Sequence, residues 1–152
     1  MISENLKKLK IELPNPPDPV GAYVAFKISG KFLYISGQLP IGLDGKIKKG
    51  KIGKDVSLEE AQDASKACAL NIIAQAKKAM NGDLEKIKGC VKITGYVNSV
   101  DDFIDQPKVI NPASETLAAV FGNPGKHTRA AVSTNSLPLG VPVEIDAIFE
   151  II

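Results

Sequence analysis

The stretch from Ser57 to Gly82 constrains this chain more than any other. Ser57-Leu58-Glu59-Glu60 is a capping box, in which the serine hydroxyl and the second glutamate each take a backbone amide that the first helical turn would leave orphaned. Asn81-Gly82 supplies residues that tolerate the left-handed exit on which helices commonly end, so the spacing predicts a helix from Ser57 to about Met80. Ala61, Ala64, Cys68, Ile72, Ala76 and Ala79 recur at intervals of three and four and form one stripe. Most of those side chains are small, so the helix can approach a sheet closely, and the rest of the chain must supply that sheet.

It does so in short runs. From Tyr23 to Ile35 two extended segments meet at Ser29-Gly30, where glycine provides the positive φ that a tight hairpin turn demands. Residues 89 to 97 alternate as a third strand, followed by a turn from Asn98 to Asp102. Pro112 suits the first turn of a second helix, filled by Ala113 to Phe121 and broken by Gly122-Asn123-Pro124-Gly125. Thr128 to Thr134 and Val141 to Ile152 read as the last strands, the latter with Val143, Ile145, Ala147, Phe149 and Ile151 on one face. Near the start, Leu6, Leu9 and Ile11 suit a short helix within residues 2 to 12, stopped by Pro14, Pro16, Pro17 and Pro19. The expected order is β-β-α-β-α-β-β, an α+β fold in one domain spanning 1–152, with 1–18 as an N-terminal extension.

Phe32-Leu33-Tyr34-Ile35 is apolar on both parities. Two helices cover only one face of a sheet this size, so the second face is expected to be covered by other copies of the chain, with any site at a subunit seam.

Several function classes drop out. An apolar fraction of 44% with 24% charge excludes a disordered chain, and a net charge of +2 is too small for the electrostatic footprint of a nucleic-acid binder. Residues 1 to 14 mix lysines and glutamates among the apolar positions, unlike a signal peptide, and no stretch reads as a membrane span. With two cysteines, at positions 68 and 90, and no disulfide framework, a cytoplasmic location is expected. One histidine and no cysteine pair rule out the usual zinc spacings, and Gly42-Leu43-Asp44-Gly45-Lys46 lacks the spacing of a phosphate loop. No metal or cofactor is expected. Lys46, Lys48, Lys49, Lys51 and Lys54 read as a solvated loop, and His127 as a loop histidine without a role.

Arg129 stands out because it opens an otherwise apolar strand, Ala130-Ala131-Val132. A guanidinium there needs an anion, and its rigid fork of donors matches a carboxylate. Glu144, flanked by Val143 and Ile145, has the mirror problem. The two form either an internal salt bridge or a catalytic pair, and spacing alone does not settle which.

Tyr34-Ile35-Ser36-Gly37-Gln38-Leu39-Pro40, Lys92 to Val97, and Thr128-Arg129-Ala130-Ala131-Val132 followed by Leu137-Pro138 and Val143-Glu144-Ile145 together resemble the YjgF/RidA family. Its best-studied members are enamine/imine deaminases; the family also carries the label endoribonuclease L-PSP. The resemblance runs from Pro19 to the C-terminus and is nearest to a longer branch with a Gly-Lys-His stretch, here Gly125-Lys126-His127. It implies a chorismate-mutase-like fold, two helices on one face of a mixed sheet, assembled as a homotrimer with sites between subunits. It implies that Arg129 holds a substrate carboxylate, that Glu144 positions or activates water, and that Tyr23, Ser36, Gly37, Asn111 and the backbone at Ala131 line the pocket. Ala131 stands where many members have cysteine. The implied reaction is hydrolysis of a 2-imino acid to a 2-keto acid and ammonia; the alternatives are a trimer that binds small carboxylates without turnover and, more distantly, a ribonuclease.

Overall fold

A computed structural model describes all residues from Met1 to Ile152. The elements are α1 (Ile2–Lys8), β1 (Phe26–Ser29), β2 (Phe32–Gln38), α2 (Leu58–Ala79), β3 (Ile87–Asn98), α3 (Gln106–Phe121), β4 (Thr128–Thr134) and β5 (Val143–Ile151). The five strands form one mixed sheet in the order β1-β2-β5-β3-β4. All neighbours are antiparallel except β3 and β4, which run parallel because α3 carries the chain back between them.

The capped helix forms as its sequence dictates. Ser57 Oγ accepts from the Glu60 amide at 3.1 Å while Glu60 Oε2 accepts from the Ser57 amide at 2.9 Å, and the helix leaves through Asn81 and Gly82 at φ 53° and 91°. The hairpin turns at Gly30, at φ 57°. Both long helices pack on one face of the sheet, α2 against β2 and β5 and α3 against β3 and β4. Between them lies a single apolar cluster that includes Leu33, Ile35, Cys68, Ile72, Ile93, Ile110, Leu117, Ile145 and Phe149. Strand β5 alternates buried and half-buried residues along its whole length, as expected for a strand with one face on the core. The short α1 docks at the rim, where Asn5 Nδ2 donates to the Val120 carbonyl at 2.9 Å.

Helix α3 begins earlier than the proline rule suggests. It starts at Gln106, so Pro112 lies inside it and not in its first turn. A proline there removes the amide that would bond the carbonyl four residues back, that of Lys108. Gln62 Nε2 of α2 donates to that Lys108 carbonyl at 2.9 Å, so the orphaned acceptor is satisfied from the neighbouring helix.

The opposite sheet face carries Phe32, Tyr34 and Val132, all exposed, and no element of this chain covers it. The outer parity of β2 is thus apolar but open. No helix is long and apolar enough to cross a membrane.

Candidate functional site

Arg129 lies near the start of β4, the sheet's edge strand, in register with Ile93 and, across β3, with Ala147. Ile93 and Ala147 are core residues on the helix side, so the arginine side chain leaves the sheet on that side and meets α3. Nη2 donates to Asn111 Oδ1 at 2.8 Å and to the Pro107 carbonyl at 3.3 Å; Nη1 donates to Ser114 Oγ at 3.1 Å. Pro107, Asn111 and Ser114 follow one another at helical spacing along a single stripe of α3. Every acceptor is neutral, and none of the protein's salt bridges involves Arg129. The guanidinium is oriented by its own chain without being neutralised, and donors remain for an external anion. Ala131, in register with Gly95 of β3, is half-buried on the same side of β4.

Glu144 lies on β5 opposite Tyr96 of β3, and Tyr96 in turn pairs with Val132. This row belongs to the open face. Burial, and after it the carboxylate of Asp146, hold the Glu144 carboxyl above the ordinary carboxylate value. Tyr96 Oη donates to Asp146 Oδ2 at 3.3 Å, and burial followed by Asp146 raises the phenol as well. Gly37 sits directly against Glu144: a Cβ at Gly37 would meet Oε1 at an impossible distance and Cδ at 2.9 Å. The register of β2 on β5 shifts between Ile35 and Gln38, which places Ser36 and Gly37 in the irregular step beside Glu144. Ser36 Oγ donates to the Val24 carbonyl at 2.7 Å and so ties down the segment that carries the exposed Tyr23.

The residues singled out in the sequence therefore fall into two groups. Arg129, Asn111 and Ala131 gather on the helix side at the β4 edge; Glu144, Gly37 and Ser36 gather on and beside the open face toward β1, and Tyr23 lies exposed in the segment that Ser36 holds. Arg129 and Glu144 leave the sheet on opposite faces, so within one chain they form neither a salt bridge nor a pair that can share a substrate. Concavities of about 520 Å³ lie elsewhere, lined by residues such as Leu13, Asp18, Lys77 and Gly82 or Lys7, Glu12 and Leu84.

Three residues near these groups, Ser114, Tyr96 and Asp146, carry no signal in the sequence taken alone. Ser114 joins Arg129 to His127, whose Nε2 lies 2.9 Å from Ser114 Oγ. Tyr96 and Asp146 adjoin Glu144. The signal for Ser114 was its spacing from Pro107 and Asn111, legible only once the helix is started at Gln106. Lys51 departs from its solvated neighbours: Nζ donates to Asn98 Oδ1 and to the Asn135 carbonyl, each at 2.7 Å, and fastens its loop across the end of β3.

The family model described as "YjgF/chorismate mutase-like, putative endoribonuclease" matches residues 4–148. Protein TCP17 of Trypanosoma cruzi is 40% identical over 99% of this chain and 94% of its own length. The RutC family protein PH0854 of Pyrococcus horikoshii is 31% identical over 88% of this chain and 90% of its own. Among solved structures, Atu1372 of Agrobacterium tumefaciens superposes with a TM-score of 0.90 at 50% identity, covering 99% of this chain and 93% of that one.

Proposed function

Because this chain belongs to the YjgF/chorismate mutase-like family, we propose that it is an enamine/imine deaminase that hydrolyses small 2-imino acids to 2-keto acids and ammonia in the cytoplasm. The observation that carries the reading is Arg129, a cation held in place by Asn111, Ser114 and the Pro107 carbonyl yet left without a carboxylate partner. Such a group is preorganised for the carboxylate of a substrate.

The opposite-face placement of Arg129 and Glu144 supports a site built from two copies of the chain. In a ring of subunits related head to tail, one molecule's β4 edge meets the open face of the next, and a homotrimer closes that ring. The exposed Phe32, Tyr34 and Val132 are then the apolar surface that such an assembly covers.

In this arrangement the substrate carboxylate bridges to Arg129 of one copy, which brings C2 of the imine to Glu144 of the next. The Glu144 carboxylate takes a proton from water as the water oxygen bonds to C2. The imine nitrogen gains that proton to give the carbinolamine; Glu144 then passes the carbinolamine hydroxyl proton to the same nitrogen as the C2–O bond becomes a carbonyl and the C–N bond breaks, which gives the 2-keto acid and ammonia. Burial and Asp146, which raise the proton affinity of Glu144, make it the stronger base for this step. Gly37 leaves room for the carboxylate, while Tyr23, Ser36 and the Ala131 backbone line the pocket.

The test supplies 2-iminopropanoate generated in situ and follows pyruvate release. Wild type exceeds the uncatalysed rate and Arg129→Ala falls to it; equal rates for the two proteins refute the deaminase reading. Thermal stabilisation by 2-keto acids with no catalysed release would instead mark a carboxylate-binding protein without turnover.

A further inference from the structure

We propose that Ser114 and His127 are positioning residues for Arg129, acting through a chain of hydrogen bonds that begins at the backbone of Gly125. This inference rests on the assignment of Arg129 as the carboxylate holder and adds the device that aims it.

His127 Nδ1 lies 2.7 Å from the Gly125 carbonyl. A carbonyl only accepts, so Nδ1 carries the proton, and in the neutral ring Nε2 is left as an acceptor. Ser114 Oγ sits 2.9 Å from that Nε2, so its hydroxyl proton is directed to the ring and its oxygen lone pairs are turned away from it. Arg129 Nη1 donates to the same oxygen at 3.1 Å. Each link thus has one polarity, from the carbonyl through the imidazole and the hydroxyl to the guanidinium. Without the ring, a serine hydroxyl on a helix commonly turns back to a carbonyl of the preceding turn, and the arginine loses a directed acceptor.

The anchor of the chain is rigid. Gly125 is buried against α3 so closely that a Cβ there would overlap the Leu117 carbonyl oxygen and reach Ala118 Cα at 2.9 Å. Its carbonyl is therefore fixed relative to the helix that bears Ser114. His127 and Arg129 are two residues apart and lean to the same side of the chain, so one short segment supplies both ends of the relay.

Ser114 and His127 also link β4 to α3, and a purely structural link predicts a different result. The experiment uses the full-length assembled protein and two readouts. Calorimetry with 2-oxobutanoate follows anion affinity, and nitrogen NMR of the Arg129 guanidinium follows rotation about its Cζ–Nε bond without any ligand. Ser114→Ala is expected to weaken 2-oxobutanoate by about tenfold, the worth of one hydrogen bond to a charged group. Ser114→Thr, which keeps the hydroxyl, restores affinity to within about threefold of wild type. His127→Phe weakens binding in the same direction, and both Ser114→Ala and His127→Phe speed guanidinium rotation. Unchanged rotation in both variants overturns the proposal, whether or not their melting temperatures fall. If wild type binds no 2-oxobutanoate the carboxylate assignment fails, while the rotation measurement still decides whether Ser114 and His127 hold the arginine.

Discussion

Two inactive variants should make an active enzyme when their chains assemble together. Arg129→Ala removes the cation on the helix side of the sheet, and Glu144→Gln removes the base on the open face. No chain in a mixture of the two carries both groups. A site formed within one chain is therefore always broken, whatever the mixing ratio. A site formed across a seam is intact whenever a Glu144→Gln chain offers its arginine to a neighbouring Arg129→Ala chain. At equal mixing each condition holds half the time, so about a quarter of all sites are complete and activity recovers to about a quarter of wild type. The assay is pyruvate release after co-refolding the variants in different ratios, with the activity maximum at equal proportions. Preformed assemblies mixed without unfolding serve as the control and stay inactive. Zero recovery in co-refolded samples, with native melting behaviour, refutes the opposite-face argument.

Gly37→Ala pushes a methyl group into the Glu144 carboxylate, which must swing by about 1 Å; a displacement of that order lowers kcat by about a hundredfold and leaves 2-keto acid affinity within about threefold. Unchanged kcat would mean that the position of the carboxylate is immaterial. Because folding raises the proton affinity of Glu144, its stabilising contribution is complete below the ordinary carboxylate value and is lost as pH rises through the folded one. Glu144→Gln should therefore melt above wild type at about pH 8 and lose that advantage at about pH 4, as differential scanning fluorimetry across the range will read. Burial pushes Cys68 well up and Cys90 up to about 12, so a thiol-reactive disulfide reagent at mildly alkaline pH labels neither until urea unfolds the chain. Gly95→Ala drives a Cβ to 2.5 Å from Cδ1 of the fully buried Ile110. That overpacking costs about 1–3 kcal/mol in a urea melt, and a cost below about 0.5 kcal/mol would show that Ile110 has room to move.

What the sequence announced and what it withheld divide along the range of the interactions. The Ser57-Glu60 box, the Asn81-Gly82 exit and the alternation of β5 are local, set by residues within a turn or two of one another, and each appears in the structure where its pattern places it. Pro112 misled because the rule that sends proline to a first turn is also local, whereas the amide that rescues the Lys108 carbonyl comes from Gln62 in another helix. Lys51 looked like one more solvated lysine for the same reason: its acceptors are Asn98 and Asn135, distant in the chain. Arg129 and Glu144 could each be picked out as a charge stranded in an apolar strand. The face of Glu144 follows from the alternation of β5, but that of Arg129 does not, because it depends on the parallel register of β3 on β4, which is fixed only after α3 has carried the chain across. His127 read as a loop histidine without a role because its partner, Ser114, lies on α3 and is distant in the chain.

On the proposed two-copy site, a chain taken singly, whose Arg129 and Glu144 look away from each other, has no catalytic output. The rate should follow the number of closed rings and not the mass of folded chain. Dilution is then expected to silence the protein, so that specific activity becomes a reading of local concentration.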